Sequence, residues 1–226
     1  TDHSATLDAL SKLSDDGRGI AVIDPAMTAT ETLTEYRRRG IRGLRINLYS
    51  PVKTPGVASL EAGFAAIADV ARSMNWHIQV IAPLPILLRN ADLLAQSPVP
   101  VVIDHYGLYG GAQPGDADGQ RLLGLLGHPH VWVKLSAPYR FAGGPLCTIP
   151  DRDWLHAILE RAPSRSVWGS DWPHPPAHDT HQGANIATPY RALSYAALVD
   201  DFIAMLPSAA FADAVMRDNP ARLYDF

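Results

Sequence analysis

Six short, mostly apolar runs alternate with longer segments of helical periodicity, and this alternation is the strongest constraint on the fold of the 226-residue chain. Runs that are apolar on both faces are typical of strands buried in a parallel sheet. Parallel neighbours need crossover connections, and the intervening segments are long enough to be crossover helices. The predicted strands are 19–24, 42–47, 77–82, 99–104, 131–136 and 166–169.

The segments between and after these runs carry apolar residues at helical spacing. The predicted helices are 28–39, 59–74, 85–95, 119–126, 151–161, 189–205 and 208–217. No break in composition separates two domains, so we predict one α/β domain over residues 1–226. Six units fit a doubly wound open sheet, whereas a closed TIM-type barrel needs eight units and about 250 residues. No glycine-rich phosphate loop follows a strand, which argues against a nucleotide-binding sheet.

Composition excludes several classes of function. The chain has a net charge of −4 without a basic stripe, which argues against nucleic acids and anionic lipids as partners. No apolar stretch reaches the length of about 18 residues that spans a membrane. The single cysteine, Cys147, cannot form an intrachain disulfide and fits a reducing compartment. We therefore expect a cytoplasmic protein, monomer or homo-oligomer, that acts on a small molecule.

The segment 166–174, Ser-Val-Trp-Gly-Ser-Asp-Trp-Pro-His, is the strongest functional signal. It places Asp171 at the carboxyl end of the last predicted strand, the end at which parallel α/β folds carry out chemistry. Pro173 stops further strand pairing. His174 and Trp172 then lie beside the acid. The alternative is an aspartate that only caps the next helix or a surface turn.

Asp104 and His105 end the fourth strand. Side chains alternate along a strand, so we expect one of the two to face the barrel centre and the other the helix layer. We assign His105 to the inside, as acid, base or ligand, and Asp104 to the outside. A capping pair at a loop entrance is the alternative.

Two arginines are candidates for binding a carboxylate. Arg45 lies within an apolar strand, where a charge is costly unless it is paired or lines a polar cavity. A structural ion pair is the alternative for Arg45, and we expect such a pairing for Lys134. Arg140 follows the fifth strand and either binds an acidic substrate or is solvated.

No Cys-x-x-Cys or His-Glu-x-x-His motif is present, and no His-x-His precedes a strand end, so motifs do not assemble a complete zinc site. No Gly-x-Ser-x-Gly elbow supports a serine triad.

Taken in order, several segments resemble the amidohydrolases of the second type, in the branch that contains 2-pyrone-4,6-dicarboxylate lactonase and related sugar-lactone and muconolactone hydrolases. The segment around Asp171 is quite specific, and the others are informative mainly through their order. These segments are 42–47, 76–79, 103–107, 133–136 with Arg140, 168–175 and 219–224. The resemblance covers almost the whole chain.

The resemblance implies a (β/α)8 TIM-type barrel in which the six runs are strands three to eight. It implies that the first one or two βα units, including a strand with His-x-His, precede the sequence given. It also implies roles. Asp171 would be the general base for water, and His105 would polarise the scissile carbonyl or stabilise the oxyanion. Arg45 and Arg140 would hold a substrate carboxylate, while Gln79 and His174 would line the pocket.

The resemblance therefore favours a lactonase that opens a small carboxylated lactone. No cofactor is expected, although zinc becomes possible if a His-x-His lies upstream. One alternative is a zinc-dependent decarboxylase or amide hydrolase on the same fold. A second alternative is a non-catalytic binding or scaffold protein.

Overall fold

The computed structural model describes residues 2–50, 54–141, 143–176 and 186–226, and within these ranges six strands form one parallel sheet. The strands are β1 (Gly19–Ala21), β2 (Ile41–Asn47), β3 (His77–Ile81), β4 (Val101–Ile103), β5 (Val131–Ser136) and β6 (Ser166–Gly169). They pair in sequence order, as in a barrel wall, whereas the order reverses in a doubly wound sheet. The predicted α/β class is confirmed, and the six parallel strands curl into a half-barrel that is consistent with a TIM-type barrel.

Helices connect the strands and follow the last one. They are α1 (Ser4–Leu13), α2 (Thr30–Arg38), α3 (Leu60–Met74), α4 (Leu84–Arg89), α5 (Ala91–Ala95), α6 (Ala117–Leu126), α7 (Arg152–Arg161), α8 (Tyr195–Met205), α9 (Ala209–Asp213) and α10 (Asn219–Tyr224). A π-helical turn, Ala214–Asp218, joins α9 to α10. Among the described residues, no helix has both the length and the apolar character needed to cross a bilayer.

Several helical segments differ from the prediction, and the predicted helix 208–217 is α9 followed by the π-helical turn. The sequence pattern did not reveal α1, which buries only Leu7 and Leu10. The predicted helix 85–95 is two helices, because the Asn90 side chain donates to the Ile86 carbonyl and competes with helix continuation. The predicted helix 189–205 begins only at α8, where the Ser194 hydroxyl caps the amide of Ala197.

The sheet has two faces with different packing. The outer face carries aliphatic side chains such as Leu44, Val80 and Leu135, which join the main hydrophobic core beneath the helices. The inner face packs Val102, Trp132 and Val167 against Leu223 and Tyr224 of α10. The last helix therefore covers the lower part of the inner face of the sheet.

Toward the carboxyl ends of the strands, the inner face becomes polar. Arg45 lies opposite Gln79 in the β2–β3 register, and both are on this face. On β5, Lys134 and Ser136 follow Trp132 with the period of two that puts alternate side chains on one face. The register therefore concentrates the charged side chains of several strands at one end of the sheet.

Candidate active site

The two strongest candidate residues, His105 after β4 and Asp171 after β6, have an unusual backbone conformation. His105 has φ 49° and Asp171 has φ 55°, both in the left-handed region. A residue other than glycine in such a conformation costs about 1–3 kcal/mol, and such strain concentrates at functional sites. The surrounding contacts must therefore hold both side chains where they are.

Asp171 lies in a group of polar side chains that we call the mouth cluster: Asp171, His105, Tyr139 and Arg140. Its Oδ2 accepts hydrogen bonds from the Tyr139 hydroxyl at 2.5 Å and from Arg140 Nη2 at 2.9 Å. Its Oδ1 lies 3.8 Å from His105 Nε2. The carboxyl ends of β4, β5 and β6 thus bring together residues that lie far apart in the sequence.

The protonation states in the mouth cluster follow from its contacts. Burial raises the pKa of Asp171, but His105, Arg140 and the hydrogen bonds from Tyr139 and Arg140 outweigh burial and hold the pKa below its ordinary value. Burial lowers the pKa of His105 to about 4, against the opposing effect of Asp104 and Asp171. At neutral pH the carboxylate is therefore charged and the imidazole neutral, so Arg140 supplies the positive charge that faces Asp171.

Ser136 orients the histidine. Its hydroxyl lies 2.8 Å from His105 Nδ1, and both side chains are buried. Asp171 favours a hydrogen on Nε2, the ring nitrogen that faces it, because a neutral imidazole carries only one N–H. In that tautomer Nδ1 accepts the hydrogen bond from Ser136. The arrangement therefore presents one donor, Nε2–H, beside one acceptor, Oδ1.

A second group, the Asp104 cluster, lies next to the first on the inner face. Asp104 Oδ2 is 3.0 Å from Arg45 Nη2 and accepts from Gln79 Nε2 at 3.0 Å, while Oδ1 is 3.4 Å from Lys134 Nζ. The Asp104 side chain is fully buried, whereas that of Arg45 is 30% exposed. Asp104 thus neutralises cations from β2 and β5, and the predicted pairing of Lys134 is observed.

The placement of Asp104 corrects the prediction that it faces the helix layer. It lies on the inner face with Arg45 and Lys134, and His105 also reaches the inner side through its contact with Ser136. Strict alternation fails because His105 has left the strand with a positive φ, which turns its side chain to the same side as its neighbour.

Coulombic attraction keeps Asp104 and Lys134 charged despite their burial. Burial raises the pKa of Asp104, but Lys134, His105, Arg45 and the Gln79 hydrogen bond hold it below the ordinary value. Burial lowers the pKa of Lys134, while Asp104 outweighs burial and raises it. Together, Arg45, Lys134 and Arg140 face two carboxylates, which leaves one net positive charge across the two clusters.

The two remaining predicted site residues, Gln79 and His174, are both buried but have different partners. Gln79 is 2% exposed, and its amide group is engaged by Asp104. His174 is also buried, and its ring meets the Tyr139 ring edge to face with centroids 6.0 Å apart. Its backbone amide donates to the Asp171 carbonyl at 2.8 Å. His174 is therefore part of the turn that holds Asp171.

Three residues of this region were assigned no role from the sequence: Ser136, Tyr139 and Arg191. The Arg191 guanidinium lies 5.0 Å from the Tyr139 ring centroid and donates to the carbonyls of Pro175 and Pro145. The position of Ser136 at a strand end, on the face of Lys134, was a signal that could have identified it. The roles of Tyr139 and Arg191 depend on long-range contacts that no local pattern encodes.

The described residues do not form a metal site. Within ranges 2–50, 54–141, 143–176 and 186–226, no group of three or more His, Cys, Asp or Glu side chains could hold a metal ion. At Asp171, Oδ2 is already held by a guanidinium and a phenol. A cationic group on the carboxylate disfavours a divalent cation at the same oxygen.

Comparison with known proteins identifies the family. A family model described as amidohydrolase matches residues 1–226. The 4-sulfomuconolactone hydrolase of Rhizobium radiobacter is 30% identical over 226 residues, which cover 99% of this chain and 71% of that protein. The 2-pyrone-4,6-dicarboxylate hydrolase of Comamonas testosteroni is 26% identical over 235 residues, covering 99% of this chain and 72% of that protein.

Solved structures show the same fold. A probable 2-pyrone-4,6-dicarboxylic acid hydrolase from Acinetobacter baumannii, with citric acid bound, has a TM-score of 0.76 and 25% identity, covering 100% of this chain and 79% of that one. A zinc-bound amidohydrolase from Burkholderia multivorans has a TM-score of 0.70 and 22% identity, covering 100% of this chain and 80% of that one. Because the family model matches the whole sequence, this chain belongs to the amidohydrolase family, and it is a hydrolase.

Proposed function

We propose that the chain hydrolyses the ester bond of a small lactone that carries a carboxylate, with Asp171 as general base. The observation that carries this proposal is the 3.8 Å separation between Asp171 Oδ1, an acceptor, and His105 Nε2, a donor. Ester hydrolysis needs such a base for water and such a donor for the developing oxyanion. Relatives named as hydrolases of 4-sulfomuconolactone and 2-pyrone-4,6-dicarboxylate support a lactone substrate.

The mechanism begins with water hydrogen-bonded to Asp171 Oδ1 beside His105, since the 3.8 Å between Oδ1 and Nε2 is too long for a direct hydrogen bond and too short for a water to lie in line between the two atoms. Asp171 accepts a proton as the water oxygen attacks the lactone carbonyl carbon. The neutral His105 donates from Nε2 to the carbonyl oxygen, on which negative charge develops. The ring C–O bond then breaks, and the alkoxide leaving group accepts from Asp171 the proton that came from the water. The product is a hydroxy acid.

Arg45 and Arg140 are proposed to bind the substrate carboxylate. The net positive charge of the two clusters supports an anionic substrate, and a guanidinium matches a carboxylate with two parallel hydrogen bonds. The Acinetobacter baumannii relative was solved with citric acid bound, which also fits a site for carboxylates. Gln79 and His174 are proposed to complete the wall of the pocket, Gln79 through its hold on Asp104.

We also propose that β1 to β6 correspond to strands three to eight of a (β/α)8 barrel, and that residues 1–226 form a single domain. Solved relatives that cover the whole chain, with TM-scores of 0.76 and 0.78, support this correspondence. In such a barrel the mouth cluster lies at the carboxyl end of the strands, where catalytic residues of the fold are found.

Asp171→Asn tests the proposed function. The amide keeps the shape but cannot accept the proton from water, so turnover of a carboxylated lactone should fall by about 10²- to 10⁴-fold while folding is retained. Asp153→Asn, at an exposed carboxylate on α7, is the matched control and should keep full activity. Full activity in Asp171→Asn would rule out this carboxylate as the base.

Metal analysis separates the proposal from the zinc-dependent alternative. Under the proposed mechanism, dialysis against a chelator leaves lactonase activity unchanged, because the chain's own side chains supply base and donor. Stoichiometric zinc that the chelator removes together with the activity would favour the decarboxylase or amide-hydrolase alternative.

A further inference from the structure

The two oxygens of Asp171 lie in different surroundings. Oδ2 accepts from the Tyr139 hydroxyl at 2.5 Å and from Arg140 at 2.9 Å. Oδ1 faces His105 Nε2 at 3.8 Å. A carboxylate held by two donors at one oxygen has a fixed orientation, so the lone pairs of the other oxygen point in a defined direction.

Tyr139 is itself firmly held. The residue is 3% exposed and lies in a short 3-10 turn, Pro138–Arg140, that the chain enters at Ala137 with φ 56°. The Arg191 guanidinium lies 5.0 Å from its ring centroid, a cation–π contact, and the His174 ring meets it edge to face. These contacts fix the ring and leave its hydroxyl directed at Asp171.

Of the two side chains that donate to Oδ2, one is also proposed to bind substrate and the other is not. Under the proposed function, Arg140 also binds the substrate carboxylate, so its hydrogen bonds are shared between substrate and base. Tyr139 has a single O–H, and that hydrogen is given to Asp171. The hydrogen bond from the Tyr139 hydroxyl therefore holds the Asp171 carboxylate whether or not substrate is bound.

We propose that Tyr139 is a positioning residue that fixes Asp171 through Oδ2 and so reserves Oδ1 for the attacking water. This proposal rests on the proposed function, in which Asp171 is the base. The charged and titratable groups that face Asp171 are His105 from the end of β4, together with Tyr139 and Arg140 after β5. Among the described residues, loss of the phenol leaves Arg140 as the remaining side-chain donor to Oδ2.

Tyr139→Phe removes only the hydroxyl and keeps the ring. A hydrogen bond to a charged carboxylate lowers its pKa, so its loss should move the acid limb of the kcat/KM profile to higher pH, by about one unit. We expect kcat to fall about tenfold or more, with KM within about twofold. Because a higher pKa makes the base stronger, a lower kcat reports lost orientation rather than lost basicity.

Tyr109→Phe is the matched control. Tyr109 is a buried tyrosine that stacks on Phe141 and Trp154, and its hydroxyl lies 3.5 Å from Asp151, away from Asp171. This variant should leave the acid limb and kcat unchanged. The pKa of the Asp171 carboxyl, followed by ¹³C NMR in the wild type and Tyr139→Phe, gives the same comparison without turnover.

Tyr139→3-fluorotyrosine keeps the hydroxyl and the ring, and it should shift the acid limb in the direction opposite to that expected for Tyr139→Phe. A more acidic phenol strengthens the hydrogen bond to Oδ2 and should move the acid limb to lower pH. An acid limb that stays at the wild-type pH in both variants overturns the proposal, and so does an unchanged kcat in Tyr139→Phe. Activity retained in Asp171→Asn would instead overturn the proposed function, so the two failures are distinguishable.

Discussion

Asp104→Asn is the substitution that most directly tests the electrostatic account of this fold. Asp104 is fully buried and lies 3.0 Å from Arg45 and 3.4 Å from Lys134. The asparagine has nearly the same shape and can still interact with Gln79. The substitution removes the negative charge and replaces one acceptor oxygen by an NH2 donor, so two cations remain on the inner face without their common counter-ion.

The expected cost follows from the burial of the partners. Removing one member of a buried ion pair costs about 3–5 kcal/mol, because the remaining charge is left uncompensated. The Arg45 and Lys134 side chains are 30% and 22% exposed, and partial hydration relieves part of this penalty. We therefore expect a loss of about 3 kcal/mol in the free energy of unfolding.

Urea unfolding of the purified protein at pH 7 measures this loss. With an m-value of about 3 kcal/mol/M, the midpoint should fall by about 1 M. Asp69→Asn is the control, since Asp69 pairs with Arg72 on the surface of α3 and both side chains are more than half exposed. That change should alter stability by about 0.5 kcal/mol or less. An equally small loss in Asp104→Asn would refute the reasoning that this carboxylate stabilises the cations of the inner face.

Two further predictions concern pH and substrate binding. Burial lowers the pKa values of His77 and His105 to about 4, so both stay neutral in the folded state while the unfolded chain binds protons below about pH 6.5. The free energy of unfolding should therefore have its full value above pH 6.5 and should fall toward pH 4, by up to about 2 kcal/mol per pH unit. Urea titrations at a series of pH values measure this dependence. A free energy of unfolding that is the same at pH 7 and pH 5 would contradict the prediction. Arg45→Lys keeps a charge for Asp104 but loses the planar fork, so KM for a carboxylated lactone should rise about tenfold. An unchanged KM would mean that Arg45 serves only its ion pair.

The regular part of the fold could be predicted from the sequence. Each of the six apolar runs contains a strand, because strands buried on both faces leave a clear apolar signature. The shorter helices were harder to predict. The helix at Ser4–Leu13 buries only two leucines, and the side chain of Asn90 interrupts a segment whose spacing fits one continuous helix.

The candidate site could be predicted only in part. Asp171 and His105 were chosen as candidates because both follow apolar strands, and the structure places Asp171 Oδ1 3.8 Å from His105 Nε2, while their catalytic roles stay a prediction. The side of the sheet on which Asp104 lies was predicted wrongly. Alternation applies only while the backbone stays extended, and the positive φ of His105 ends it at the residue from which the assignment was made.

The sequence by itself determined which segments are strands, that they run parallel, and that polar residues collect at their carboxyl ends, since these properties depend on local hydrophobic periodicity. Only the tertiary structure decided that the Tyr139 hydroxyl binds Asp171, that Ser136 orients His105 and that one buried carboxylate neutralises Arg45 and Lys134. These pairings join residues on different strands and loops, and the curvature and register of the sheet select them from many possible partners.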